Sequence, residues 1–171
     1  QGRLVAAKRR LAKEGCFTGA MCLTGYMVDK RPIVDGQPNP TRRKYVPFAP
    51  YAEVIRRYFE MFVENKGNLG LTHRQIVANG PYFPQPESVK HLLPDGHKFG
   101  TTLGGKNKTK DRLCPSLSGL HDMLVNPEYL RHWVHKGIIT VWNNHPPLIP
   151  EELFFAAYNF LSDIGLDGEN N

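Results

Sequence analysis

The strongest hydrophobic rhythm runs from about Tyr51 to Asn65. There Val54, Ile55, Tyr58, Phe59 and Phe62 recur at the three- and four-residue spacing of one helix face. Pro50 suits the start of such a helix, Glu53 its first turn and Lys66-Gly67 its end. The stripe predicts a central helix with Ile55, Phe59 and Phe62 buried. A thinner stripe, Leu4, Ala7 and Leu11, predicts a helix over 3–14 ended by Gly15, with Arg9, Arg10 and Lys13 outside the stripe. So few apolar positions imply that this helix needs a partner. Thr72 and Gln75 have the spacing of a capping box opening a short helix from about His73 to Asn79, closed by Gly80, with Ile76 and Val77 inward. Leu117, Leu120, Met123 and Leu124 predict a helix over Leu117–Asn126, capped by Ser116 and stopped at Asn126-Pro127. Pro150 opens a last helix facing Leu153, Ala157, Phe160 and Leu161 inward, with a frayed tail expected over 165–171.

The other segments read differently. Gly19, Gly25, Pro32, Gly36, Pro38 and Pro40 punctuate 15–49, where Tyr26–Val28 and Tyr45–Phe48 are expected to pair across a loop carrying Arg42, Arg43 and Lys44. His132–Val134 and Ile138–Trp142, with His135-Lys136-Gly137 between them, predict a β-hairpin. Glu87–Leu93 reads as one or two helical turns before Pro94, and 94–115 as a Gly- and Lys-rich loop. The order predicts an α+β, helix-rich domain with a helix-turn-helix or winged-helix-like core and small β-hairpins. The connection from Gly80 to Ser116 is far longer than the turn of the simple motif.

At 171 residues the chain fits one domain, or one domain plus a helical arm. No apolar run approaches the ~20 residues of a membrane helix, so no membrane partner is expected. No signal peptide opens the chain, which starts at Gln1 on a stretch already helical in pattern, as expected of part of a longer protein. Cys16, Cys22 and Cys114 are odd in number and form no C-x-x-C pair, which fits a reduced, cytoplasmic setting without a zinc site. The net charge of +6 is unevenly spread. Residues 1–44 hold Arg3, Lys8, Arg9, Arg10, Lys13, Lys30, Arg31, Arg42, Arg43 and Lys44 against Glu14, Asp29 and Asp35. A second run holds Lys106, Lys108, Lys110 and Arg112, whereas the stretch from His145 onward has acids and no Lys or Arg. Such segregation is the footprint of a phosphate-binding face; the alternative for any single run is solvated surface charge.

No catalytic constellation emerges, and no cofactor or metal is expected. His132 and His135 form an H-x-x-H, but a strand and turn send these side chains to opposite faces. Asn143-Asn144-His145 is similar to part of a metal-dependent nuclease hairpin, yet Pro146-Pro147 breaks the strand it needs. Gly104-Gly105-Lys106 lacks the first Gly and the Ser/Thr of a phosphate-binding loop.

Five segments, in order from about Gly15 to Leu161, resemble the recombinase domain of large serine recombinases, the group of phage serine integrases and mobile-element recombinases. Leu23-Thr24-Gly25-Tyr26 is similar to the family's Gly-Tyr motif. The run Tyr51-Ala52-Glu53-Val54-Ile55-Arg56-Arg57-Tyr58-Phe59-Glu60-Met61-Phe62 resembles its long helix. Ile76-Val77-Ala78-Asn79-Gly80 resembles its short helix. The most specific segment is Gly119-Leu120-His121-Asp122-Met123-Leu124-Val125-Asn126-Pro127-Glu128-Tyr129, similar to G-L-x-x-M/I-L-x-N-P-x-Y. Asn144-His145-Pro146-Pro147-Leu148-Ile149 through Phe154 resembles the last. Departures are Leu23 in place of a Pro, Arg131 in place of a Gly, Pro115-Ser116 in place of an aromatic, and a 94–115 loop that looks inserted.

The resemblance implies a DNA-binding domain of a site-specific DNA recombinase, prokaryotic or phage-encoded, that recognises the recombination site. It implies that 1–15 end a linker helix from a catalytic domain lying elsewhere, that 16–164 bind DNA, and that the parent self-associates as a dimer or tetramer on DNA. By itself this stretch is expected not to cut. The expected phosphate contacts are Arg3, Arg9, Arg10, Lys13, Arg42, Arg43, Lys44, Lys106, Lys108, Lys110 and Arg112. Ser118, His121 and Asp122 are the expected base readers, the alternative being plain solvent-facing helix residues. Two other readings are a winged-helix regulator of another family and a metal-dependent nuclease built on His132–His145.

Overall fold

The computed structural model describes residues 2–19, 21–94, 97 and 112–167, with side chains over 4–162 of these. Around one long helix it arranges further helices and, among the described residues, three two-stranded antiparallel sheets. The architecture is α+β and helix-rich, as the pattern predicts.

Helix α1 spans Gly2–Lys13, and Gly15 at φ 76° turns the chain away. Its far end is exposed at Leu4, Ala7 and Lys8, while Ala12 is buried. Two buried side chains grip the helix end, Trp133 donating to the Ala12 carbonyl and Asn144 to the Gly15 carbonyl, both at 2.8 Å. Strands β1 (Tyr26–Val28) and β4 (Tyr45–Pro47) pair with Val28 opposite Tyr45, as expected, and the rings of Tyr26 and Tyr45 stack 5.0 Å apart. Between them β2 (Ile33–Val34) and β3 (Gln37–Pro38) form a hairpin. Its turn residues Asp35 and Gly36 both have positive φ, the Asp-Gly hairpin signature that the sequence reading overlooked.

The central helix α2 runs over Ala49–Glu64, starting two residues earlier than the stripe suggests because Pro50 fits its first turn. Tyr51, Ala52, Ile55, Tyr58, Phe59, Met61 and Phe62 are buried, and Val54 only partly. The buried arc is wider than the stripe because the β1–β4 region, α3 and α6 enclose α2. The Tyr51 and Tyr58 hydroxyls donate to the carbonyls of Pro84 and Pro81, at 2.8 and 2.7 Å, and Phe83 packs between the two rings.

Helix α3 spans Leu69–Asn79, one turn longer than expected, and its cap is Asn68, which accepts from the Leu71 N–H at 2.9 Å. The Thr72–Gln75 capping box does not form, because the helix has already begun. Thr72 is buried and, with Gln75, accepts from the Asn65 side-chain amide at the end of α2, at 2.9 and 2.8 Å. Helix α4 (Pro86–Val89) continues into a 3₁₀ turn over Lys90–Leu92, matching the expected short helix. Helix α5 (Leu117–Leu124) packs on α3 and α6. Leu117, placed in the inner stripe from sequence, is instead 45% exposed, because the buried arc of α5 is made by Gly119, Leu120, Met123 and Leu124.

A 3₁₀ turn over Pro127–Leu130 carries fully buried Tyr129. The hairpin of β5 (Trp133–His135) and β6 (Ile138–Val141) follows where predicted, with Lys136 and Gly137 at positive φ in its turn. Helix α6 (Glu151–Asp167) closes the core on α2, with Phe154 stacking on Phe59 at 5.9 Å. Phe154 and Ala157 are its buried residues; Leu153, Phe160 and Leu161 are partly buried.

Candidate nucleic-acid interface

Helix α5 presents a polar face because its start is well determined. The Ser116 hydroxyl accepts from the Gly119 N–H at 3.1 Å, a side-chain cap of the expected kind. The segment before it is held by the Phe83–Leu113 bridge and by His73, whose Nε2 lies 3.2 Å from the Pro115 carbonyl. Ser118, His121 and Asp122 are all exposed and share one side of the helix, away from buried Leu120 and Leu124. The Ser118 hydroxyl sits 3.2 Å from that of Ser116, and His121 Nδ1 lies 3.6 Å from the Asp122 carboxylate. Exposed Leu117 adjoins this face. Its apolar surface, missed from sequence, was legible only once the buried arc was known.

The expected phosphate-binding cations fall into separate groups. Arg9, Arg10 and Lys13 are exposed on α1, where Arg10 makes a long 3.7 Å pair with Glu14. The β3–β4 loop carries exposed Arg42 and half-buried Arg43 and Lys44. Arg43 is held at φ 61° by its backbone: its N–H donates to the Asp29 carbonyl at 2.8 Å, and its carbonyl accepts from Phe17 at 2.6 Å. A cleft of about 150 Å³ joins Arg43 to Lys8 and Lys30, which the sequence leaves on three unrelated segments. Exposed Arg112 lies over the Tyr82 ring, 5.8 Å from its centroid. The side chain of Arg3 and all of Lys106, Lys108 and Lys110 lie outside the described residues. No hydrogen bond or ion pair among the described residues links the α5 trio to these cations.

The histidines of the nuclease alternative serve the fold. His145 is buried with its Nε2 2.7 Å from the Glu128 carbonyl, edge-on to Tyr26 and Tyr45. Burial pushes it down to about 4, so the ring is neutral and Nε2–H is the donor. His132 packs against Trp142 at 4.6 Å, and its Nδ1 accepts from the Asn143 N–H at 3.3 Å. Among the described residues no group of three or more His, Cys, Asp or Glu side chains could hold a metal ion, and no helix is long and apolar enough to cross a membrane. In the same cluster, burial pushes the Glu128 carboxyl up to about 7, while one of its oxygens accepts from the Val134 N–H at 3.4 Å.

No protein-family model and no curated protein matches the sequence. Solved structures do match its fold. One is the crystal structure of a complex between a large serine recombinase and DNA, with a TM-score of 0.54 and 18% identity. The chain has the fold of part of a large serine recombinase. A second match comes from work on the sequence requirements of the Listeria innocua prophage attP site, with a TM-score of 0.53 and 19% identity. Each match covers 95% of this chain, which spans 38% of the first matched chain and 52% of the second.

Proposed function

We propose that this chain is a duplex-DNA-binding domain of a site-specific recombinase of the large serine type, recognising the recombination site. The observation that carries the reading is the fold it shares, over 95% of its length, with a protein solved on DNA. In this reading α1 ends a linker helix from a catalytic domain elsewhere, 16–164 bind DNA, and the parent acts in the cytoplasm as a dimer or tetramer on its site. Arg9, Arg10, Lys13, Arg42, Arg43, Lys44 and Arg112 neutralise phosphates, as do Arg3, Lys106, Lys108 and Lys110, and so set position without reading sequence. Ser118, His121 and Asp122 read base edges from α5, and Leu117 offers an apolar contact for a thymine methyl.

The test is a titration of single variants against the native site and random duplex at two salt concentrations. Replacing Arg9, Arg42 or Arg112 by Ala is expected to weaken both DNAs alike. Replacing Ser118, His121 or Asp122 by Ala is expected to cost ~1–3 kcal/mol on the native site and little on random DNA, for each residue that makes a good base contact. If the 118–122 variants leave the native-to-random ratio unchanged, α5 is not the reader and the Glu87–Leu93 segment takes its place.

A further inference from the structure

The cleft between α1 and the β-strand loops gathers three cations from three parts of the chain. Lys8 comes from α1, Lys30 from just after β1, and Arg43 from the loop before β4; among the described residues Leu11, Phe17, Thr18 and Gly19 also line it. No carboxylate is among these residues. The nearest acid in sequence, Asp29, is already engaged: Arg31 grips it with contacts of 2.7–3.1 Å. Glu14 pairs with Arg10. No ion pair among the described residues reaches Lys8, Lys30 or Arg43. Like charges so grouped repel one another, and an anion between them relieves that cost.

The cleft is also built rather than incidental. The Arg43 backbone is tied on both sides, to Asp29 and to Phe17, in a left-handed conformation that costs a non-glycine residue strain. Lys30 lies over the buried Phe17 ring, 5.8 Å from its centroid. A volume of about 150 Å³ falls below the ~300–1,000 Å³ of organic-ligand pockets and suits a small oxyanion.

We propose that this cleft seats a single backbone phosphate of duplex DNA, clasped jointly by Lys8, Lys30 and Arg43. The proposal rests on the DNA-binding reading above and deepens it: three cations act on one phosphate, not on three. It also adds an attachment for α1, whose hydrogen bonds from Trp133 and Asn144 are confined to its C-terminal end. Bound DNA thereby sets the angle at which α1 leaves the domain.

Salt dependence separates one phosphate from three, because each neutralised phosphate contributes about 0.9 to the slope of log K against log salt. The full chain is titrated with random-sequence duplex over a salt series, as wild type and as the triple variant Lys8→Gln, Lys30→Gln, Arg43→Gly. Glycine accepts the φ of position 43, so the variant is expected to fold, which thermal melting checks. A slope smaller by about one unit, restored when Lys8→Arg and Lys30→Arg are made with Arg43 intact, supports the clasp. A fall near three units means separate phosphates and overturns it. So does an unchanged slope with DNA still bound, which leaves the DNA-binding reading standing. If the wild type binds neither the native site nor random duplex, both fall. As a control, Arg57→Ala, whose guanidinium pairs with Glu60 and Glu64, should leave the slope alone. Inorganic phosphate at constant ionic strength forms a second arm, read at the Phe17 and Arg43 amides. Saturation only at tens of millimolar or above supports a duplex contact; saturation at low millimolar marks a free-anion site and overturns the assignment. Amide exchange over 5–11 should slow on adding duplex to wild type and not to the triple variant.

Discussion

At the scale of single residues, backbone conformation accounts for both a match and a departure from the family pattern. Gly25 sits at φ 95°, and a Cβ there would stand 2.6 Å from side-chain carbons of both Ile55 and Leu148. Gly25→Ala is therefore expected to destabilise by ~2–4 kcal/mol, combining backbone strain with overpacking, as urea denaturation would show. Arg131, where the resemblance expects glycine, adopts φ 104°. Arg131→Gly is expected to raise stability by ~1 kcal/mol, because the strain relieved exceeds the added freedom of the unfolded chain; a lower melting temperature would contradict this. Glu128 and His145 titrate in opposite senses. Glu128 rises from 4.5 to about 7 through burial, so its contribution is full below 4.5 and lost as pH rises through 7. His145 drops from 6.5 to about 4 through burial, so its contribution is full above 6.5 and lost as pH falls through 4. Between those values they oppose each other. Relative to wild type, Glu128→Gln is expected to make stability climb more steeply with pH from 4.5 to 7, and His145→Gln to make it climb less from 4 to 6.5. Parallel pH–stability curves would contradict both assignments.

At the scale of elements, patterning and turn chemistry located most of the structure. The α2 stripe, the β1–β4 pairing and the β5–β6 hairpin each follow from local signals, since a helical period or a Lys-Gly turn acts over a few residues. The missed cap of α3 shows the limit. Thr72 and Gln75 have capping-box spacing, yet Asn68 caps the helix and frees both to bind Asn65. The choice depends on α2 ending one turn upstream, which no local pattern reports. For α5 the local signal and the structure agree on Ser116. Ser116→Ala is expected to cost ~1 kcal/mol of stability and, if the exposed face that begins two residues later reads bases as proposed, to weaken native-site binding more than random binding. Equal loss on both DNAs would mean that α5 sets position without reading sequence.

At the scale of the whole molecule, no strand cutting is expected from this chain alone. Burial pushes the Cys22 thiol up to about 12 and raises Cys114, which disfavours the thiolate form of each, and His145 is committed to the Glu128 carbonyl. Incubation with supercoiled plasmid carrying the native site and Mg²⁺ should leave it supercoiled, with no covalent protein–DNA product; a nicked plasmid or an adduct would overturn this. By itself the sequence determined the helix-rich α+β class, the core face of α2, the exposed trio of α5 and a basic character at one end of the chain. These are properties of spacing and composition, which act locally or add along the chain. Only the tertiary structure decided which cations meet, because Lys8, Lys30 and Arg43 are brought together by long-range ties from Phe17 to Arg43 and from Trp133 and Asn144 to the end of α1. It likewise decided that His145 belongs to the core, since burial among Tyr26, Tyr45 and Glu128 is set by segments about a hundred residues apart, beyond the reach of any local pattern.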